Sequence, residues 1–273
     1  MKYFLTLICL AILFTSCKND PKTVDNLKPM ITVNQEFKTM LDSYYEDGLI
    51  LNPLAATYAG DNRFNDKMPN YLSPEYKENI KAYLTNYKNL LSTFKEEDLN
   101  ESEKLSKAVL EWDIDISLAG LTFKTDLMPI DQMWSLHLSI GQLASGSGAQ
   151  PFKTVADYNN WLKRVDGYLG WLSSAENNMK SGIKLGYVLP KSLIKKVIPQ
   201  LAAMAESNVG NHLFYQPISN LPREFSEKDK AELTAAYSSM VKDKVIPAYE
   251  KLHDFMSTTY LDSGRQSSGI SAI

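Results

Sequence analysis

Histidines are the residues of this sequence best suited to bind a metal ion, and there are three of them: His137, His212 and His253. No two lie four residues apart, so the sequence lacks the H-E-x-x-H helix that places two zinc ligands on one face. Glu250 and His253 form one Glu-x-x-His pair, but a di-iron bundle needs two such motifs and two further glutamates. We therefore interpret this pair as solvated, and we predict no metal site and no catalytic residue.

Serine catalysis and phosphate binding have similarly weak support. The sequence has no G-x-S-x-G nucleophile elbow. The small-residue segment Gly141–Gly148 is not followed by Lys-Ser or Lys-Thr, so it does not match a phosphate-binding loop. We predict a surface loop between helices here. The alternative is a mobile segment beside a groove.

Two basic residues, Lys195 and Arg265, are the candidates for substrate contact. An ammonium or guanidinium group in a groove would face an anionic group of the ligand. The alternative is that both are solvated, since this is the usual state of exposed bases.

Cys17 follows a segment of the kind that directs export. Lys2 gives a positive start, residues 3–14 are almost all apolar, and Thr15 and Ser16 come directly before the cysteine. This order is that of a secretory signal peptide, and the apolar run is shorter than the about 20 residues that span a bilayer. We predict a lipoprotein attached to a membrane by a lipid on Cys17. The alternative is an ordinary signal peptide with a chance cysteine.

Cleavage and lipid attachment at Cys17 would determine which reactions the cysteines can take part in and where the protein is located. Cys9 leaves with the signal peptide (1–16) and Cys17 carries the lipid, so we expect neither an internal disulfide nor a cysteine nucleophile. We expect the cell envelope, and the outer membrane more than the inner, because Lys18 and Asn19 give no acidic retention signal.

Composition excludes one class of partner and permits a large core. The chain has 29 basic and 32 acidic residues, a net charge of −3, whereas a protein that binds nucleic acid shows a basic face. Hydrophobic residues make up 44% of the chain, and its length suggests one domain or two.

Turn and capping signals divide the chain further. Residues 17–33 are polar with two prolines and predict a flexible tether, and residues 34–273 predict one helical domain. The first helix should run near 34–51, with a loop after Asn52-Pro53. Pro247 should kink the last long helix. Other helices should begin at Ser73-Pro74, Asn100 with Glu103, Thr154 with Asp157, Lys191, and Ser226 with Asp229.

Apolar residues recur at spacings of three and four in these helices, and we interpret such stripes as facing the core. One stripe comprises Leu105, Val109, Trp112 and Ile116. Alternating stretches typical of strands are scarce. The predicted class is therefore all-α, a multi-helix array with long amphipathic helices.

Three segments resemble one bacterial family. They are NPLAATYAG (52–60), the segment from DYNNWLKRV to KKVIPQL (157–201), and VIPAYEKLHDFMSTTYLDSGRQSSGISAI (245–273). Their order and spacing are similar to the N-terminal half of the family known as domain of unknown function 885.

This resemblance implies a larger helical, metallopeptidase-like fold, often exported as a lipoprotein. It implies zinc, held by a helix with H-E-x-x-P-G-H in a C-terminal half that this chain lacks. The first hypothesis is accordingly the N-terminal part of a membrane-anchored zinc peptidase, inactive alone, which comes from a truncated gene or a split gene or is a deliberately partial chain. Its partners would be the membrane, a peptide substrate and the missing half. The second hypothesis is a non-enzymatic helical lipoprotein that binds peptides or a protein partner.

Overall fold

The computed structural model describes residues 34–206 and 208–269, and within these ranges no strand is formed. The predicted signal peptide (1–16), Cys17 and the tether (17–33) lie outside the described residues. The α-helices are α1 (Gln35–Leu51), α2 (Pro53–Tyr58), α3 (Pro74–Ser92), α4 (Glu101–Gly120), α5 (Leu136–Ala144), α6 (Val155–Leu185), α7 (Lys191–Met204), α8 (Gln216–Ser219), α9 (Glu227–Ser239), α10 (Ile246–Phe255) and α11 (Leu261–Ser263). The all-α prediction is confirmed.

The predicted capping residues begin their helices. The Ser73 hydroxyl accepts a hydrogen bond from the backbone N–H of Tyr76 at 3.1 Å, directly before Pro74. Capping boxes start α4 at Asn100 and α6 at Thr154, and each satisfies backbone donors that the first turn leaves unpaired. Gly186 ends α6 with φ of 79°, a left-handed conformation that glycine adopts without strain.

The helices build two separate hydrophobic cores. The main core surrounds α6, which contributes Tyr158, Trp161, Val165, Tyr168 and Met179 and packs against helices later in the chain. The small core lies between α1, α3 and α4. Its buried members are Phe37, Met40, Leu84, Tyr87, Leu91, Leu99, Leu110 and Ile114.

Two glycines of α6 let neighbouring loops lie directly on the helix. A Cβ at Gly167 would be only 2.8 Å from the Cβ of Met68. A Cβ at Gly182 would be 2.6 Å from the carbonyl oxygen of Tyr187 and 2.8 Å from that of Leu127. Because neither space admits a methyl group, these glycines determine how closely the segments at Met68, Leu127 and Tyr187 approach α6.

Two local predictions need correction. The loop expected after Asn52 is the short helix α2, because the Asn52 side chain caps it and Pro53 suits its first turn. The first half of Gly141–Gly148 is helical and belongs to α5, where Gly141 is buried. A π-helical segment, Met240–Val245, comes directly before α10, and the kink at Pro247 stays a prediction.

The stripe predicted on α4 does not face the core. Leu105, Val109, Trp112 and Ile116 are between 54% and 66% exposed. Leu110 and Ile114, on the opposite side of α4, are the residues that enter the small core. The helix therefore has two apolar faces, and three–four spacing alone does not tell which of them is buried.

Candidate functional site

A cleft of about 670 Å³ opens where the two cores meet. Ile80 and Leu121 approach it from the small core, whereas Trp171 of α6 belongs to the main core. The beginning of α3, the end of α4 and the turn Thr125–Leu127 complete its walls. A concave, largely apolar space of this size between two units is the usual setting of a small-ligand or peptide site.

Four aromatic side chains line the cleft: Tyr71, Tyr76, Phe123 and Trp171. The rings of Tyr71 and Tyr76 meet edge to face, with their centroids 5.0 Å apart. Phe123 is 65% exposed at the mouth, whereas Trp171 is buried. The arrangement offers flat surfaces against which an apolar or aromatic group of a ligand can pack.

The tyrosines of the cleft are suited to hydrogen bonding rather than proton abstraction. Burial raises the pKa of Tyr76 to about 12, and burial likewise raises the pKa of Tyr71 above its usual value. Both phenols are therefore neutral near pH 7. The Tyr71 hydroxyl donates to Oδ1 of Asn52 at 3.3 Å, which fixes its orientation.

Polar groups in the cleft include one base and one acid. Lys77 lies on the first turns of α3, and Asp126 lies on the turn before α5. The Asn178 side-chain amide donates to the backbone carbonyl of Asp126 at 3.1 Å and ties this turn to α6. A cleft with aromatic walls and both charges suits a peptide segment, whose backbone is polar and whose side chains are apolar.

A second groove, of about 770 Å³, runs between α1 and α3 and is more open than the cleft. Its acidic lining residues are Glu36, Asp42, Glu46 and Asp47. The Tyr87 hydroxyl donates to the Asp47 carboxylate at 2.6 Å. Because only two neighbouring helices form it, this groove is a weaker candidate for a small-ligand site.

The two predicted substrate contacts, Arg265 and Lys195, line neither of these spaces. The guanidinium of Arg265 donates to the backbone carbonyls of Val188, Ser267 and Gly269 at 3.0, 2.9 and 2.5 Å. Its backbone also bridges to the segment before α7, so Arg265 fastens the end of the described chain. Lys195 is exposed on α7. A role for either residue in a substrate groove stays a prediction.

Within residues 34–206 and 208–269, no group of three or more potential metal ligands comes together. The ring nitrogens of His137 face the Ser135 hydroxyl at 2.7 Å and Oε1 of Gln200 at 3.3 Å. Burial lowers the pKa of His137 and that of His212. These residues do not fit a zinc ion, and no chemical step here depends on one.

Sequence patterns did not reveal the cleft. Tyr71, Leu72 and Phe123 lie in loops, where periodicity has no meaning, and Trp171 is one of many apolar residues on α6. The available signals were the Ser73-Pro74 start of α3, directly after Tyr71 and Leu72, and Gly182, which lies against Leu127 beside Asp126 of the cleft.

The fold and the cleft define an all-α protein with two helical cores and an aromatic-lined cleft between them. A solved structure with this fold is "The crystal structure of the putative lipoprotein from Colwellia psychrerythraea", which matches with a TM-score of 0.72 at 17% sequence identity. The match covers 86% of this chain but 43% of that one, so this chain spans about half the length of the Colwellia protein.

The family model described as "Bacterial protein of unknown function (DUF885)" matches residues 53–271, and the chain belongs to this family. This confirms the family named from sequence. No curated protein matches the chain significantly. In the described part of the chain, no helix is long and apolar enough to cross a membrane.

Proposed function

We propose that this chain is the peptide-binding, N-terminal part of a lipid-anchored zinc-dependent peptidase of the cell envelope. Its cleft holds the substrate, and a further segment bearing H-E-x-x-P-G-H supplies the metal and the catalytic water. The observation that carries the proposal is the aromatic-lined cleft between the two cores. The chain alone is expected to bind peptides without cleaving them.

The chemistry of the cleft supports a peptide as ligand. Trp171 and Phe123 offer apolar contact area, the tyrosine hydroxyls can bond to peptide amides, and Lys77 and Asp126 offer one charge of each sign. A nucleic acid would need a basic surface, whereas the chain has a net charge of −3.

The length of the Colwellia protein, compared with the region matched to this chain, supports the role as one part of a larger enzyme. The Colwellia protein is more than twice as long as the region matched to this chain. The residues described here offer no ligand set for zinc, so the proposal assigns catalysis to residues beyond them.

The proposed location depends on Cys17. Its place after an apolar segment and two small residues supports lipid attachment, and the Colwellia protein is itself described as a "putative lipoprotein". We assign the outer membrane in preference to the inner on the residues that follow Cys17.

A peptide titration tests the proposal. The mature chain is titrated with fluorescent peptides that vary in apolar and aromatic content. Phe123→Ser removes an aromatic ring at the mouth without opening a core, and we expect it to weaken binding about tenfold, the effect of losing a buried aromatic contact. Leu185→Ser is the matched control, since Leu185 is 57% exposed on α6 and does not line the cleft.

Three outcomes would contradict the proposal. They are the absence of peptide binding, an equal effect of both substitutions, and chelator-sensitive peptidase activity from the purified chain itself. The last outcome would show that this chain needs no further segment for catalysis.

A further inference from the structure

One exposed surface of the molecule is apolar although it is not part of the cleft. It is the outer face of α4, formed by Leu105, Val109, Trp112 and Ile116. All four side chains are more than half exposed, and they lie on one side of the helix because their spacing is four, three and four. None of them lines the cleft or the groove between α1 and α3. A continuous apolar stripe of this kind usually marks a contact surface.

The chain enters the domain at one end of this helix. Asn34 is the first described residue, and its backbone N–H donates to the Glu103 carboxylate at 2.5 Å. Glu103 lies in the first turn of α4, two residues before Leu105. Glu103 is on the buried side of the helix, but a helix is only about 10 Å across, so Asn34 lies a short distance from the outer face of α4.

The 16 residues from Lys18 to Val33 separate Asn34 from Cys17. They span at most about 55 Å when fully extended. As a flexible coil they average about 22 Å. A lipid on Cys17 would therefore keep the beginning of α4, and with it the outer face of this helix, within reach of the bilayer.

We propose that the outer face of α4 lies in the lipid–water interface and orients the domain on the membrane. This inference rests on the lipid anchor of the proposed function. Trp112 suits the headgroup level, and the aliphatic side chains beside it reach toward the acyl chains. Held by the anchor, the helix needs only weak lipid contact of its own, because attachment keeps its local concentration high.

Charge determines which lipids suit this face. The helix carries five acidic residues and two lysines. Both lysines are paired with glutamates of the same helix, Lys104 with Glu101 and Lys107 with Glu111, each at 2.8 Å. The surroundings of the stripe are thus net negative, which favours zwitterionic headgroups over anionic ones.

A second copy of the chain is a poorer occupant. Stable protein interfaces bury about 800 Å² on each partner, and four half-exposed side chains on one helix offer about half of that area. A bilayer needs no complementary shape and therefore tolerates so narrow a stripe.

The test uses the lipidated mature chain in vesicles of phosphatidylethanolamine and phosphatidylcholine, part of which carries bromine on its acyl chains. Trp134→Phe leaves Trp112 as the exposed tryptophan, since Trp161 and Trp171 are buried. We expect brominated lipid to quench Trp112 emission. The double substitution Leu105→Glu and Ile116→Glu should abolish this quenching, whereas the control Leu185→Glu should retain it.

The remaining outcomes each decide the question. Adding phosphatidylglycerol should lower the quenching, and an increase would contradict the charge argument. If mass spectrometry finds the lipid on Cys17 but Trp112 is not quenched, the docking inference fails and the anchor stands. If no lipid is found on Cys17, the docking inference and the lipid anchor both fail. A dimer in detergent that the double substitution dissociates would overturn the membrane as occupant.

Discussion

At the scale of single residues, Arg164 shows most directly how one side chain joins segments that are distant in the sequence. It is fully buried on α6 and donates to the carbonyls of Phe64 and Lys67 at 2.7 and 3.0 Å. It also donates to Thr57 and Gln150 at 2.9 and 2.6 Å. Desolvation lowers its pKa to about 10, so the group remains charged at neutral pH and depends on these four acceptors.

Replacing Arg164 with methionine should destabilise the protein strongly. The methionine fills a similar apolar volume but leaves several buried acceptors unpaired, which costs about 2–4 kcal/mol of unfolding free energy. Chemical denaturation measures this loss. Arg223→Met is the control, since Arg223 is exposed, and it should change the unfolding free energy by less than about 0.5 kcal/mol. Equal effects of the two substitutions would contradict the role given to Arg164.

At the scale of elements, α6 is the support on which the rest of the fold is assembled. It carries the largest buried side chains, contacts the loop at Met68 through Gly167, and contacts the turn Thr125–Leu127 through Gly182. Glu176 of α6 forms an ion pair with Lys251 of α10 at 3.0 Å. It forms a second ion pair with Lys180 of its own helix at 2.7 Å.

Gly182→Ala should therefore damage both stability and binding. The new methyl group would displace the backbone at Leu127 and with it Asp126 of the cleft, at a cost of about 1–3 kcal/mol. Gly170→Ala is the matched control on the same helix, because a Cβ there meets nothing within 4 Å. It should stabilise the helix by about 0.5–1 kcal/mol. Thermal unfolding and peptide affinity are measured on both variants. Gly182→Ala should lower both stability and affinity, whereas Gly170→Ala should raise stability.

The ion pairs of Glu176 predict a dependence of stability on pH. Burial raises the pKa of this carboxyl, but its hydrogen bonds and charge pairing with Lys180 and Lys251 outweigh burial and hold the pKa below the usual 4.5. The unfolded state thus takes up the proton first, and the stabilisation present above pH 4.5 is lost as the pH falls below it.

Glu176→Gln should accordingly be less stable than the wild type at pH 7, and the difference should narrow as the pH falls through 4.5 toward 3. Urea denaturation across this range measures it. Glu78→Gln, at an exposed position of α3, is the control and should follow the wild type. If the difference in unfolding free energy between Glu176→Gln and the wild type stays constant with pH, the role given to these ion pairs is contradicted.

The element scale also shows how far prediction from sequence extends. Helix starts at Ser73, Asn100, Thr154 and Ser226 were predictable, because capping is a local interaction between neighbouring residues. The buried face of α4 was not predictable, because both of its faces carry apolar residues. Only the packing against α1 and α3 selects the face that is buried. The cleft was not predictable either, because it forms from loop residues more than 40 positions apart, such as Tyr71 and Phe123.

At the scale of the whole molecule, the two cores explain why a binding site forms where it does. Each core buries its own apolar residues, and the junction between them leaves an opening whose walls come from both. In the proposed enzyme, the membrane-facing helix α4 and the cleft are adjacent, because Gly120 and Leu121 at the end of α4 line the cleft. The anchor would then set the height of the substrate site above the membrane.

Photo-cross-linking of a bound peptide to the mature chain tests the central claim most directly. A peptide that carries a benzophenone group is bound, irradiated and located by mass spectrometry. We predict adducts on residues 71–80 and 120–129, the two segments that face each other across the cleft. Adducts confined to the groove between α1 and α3, or an absence of saturable labelling, would contradict the account.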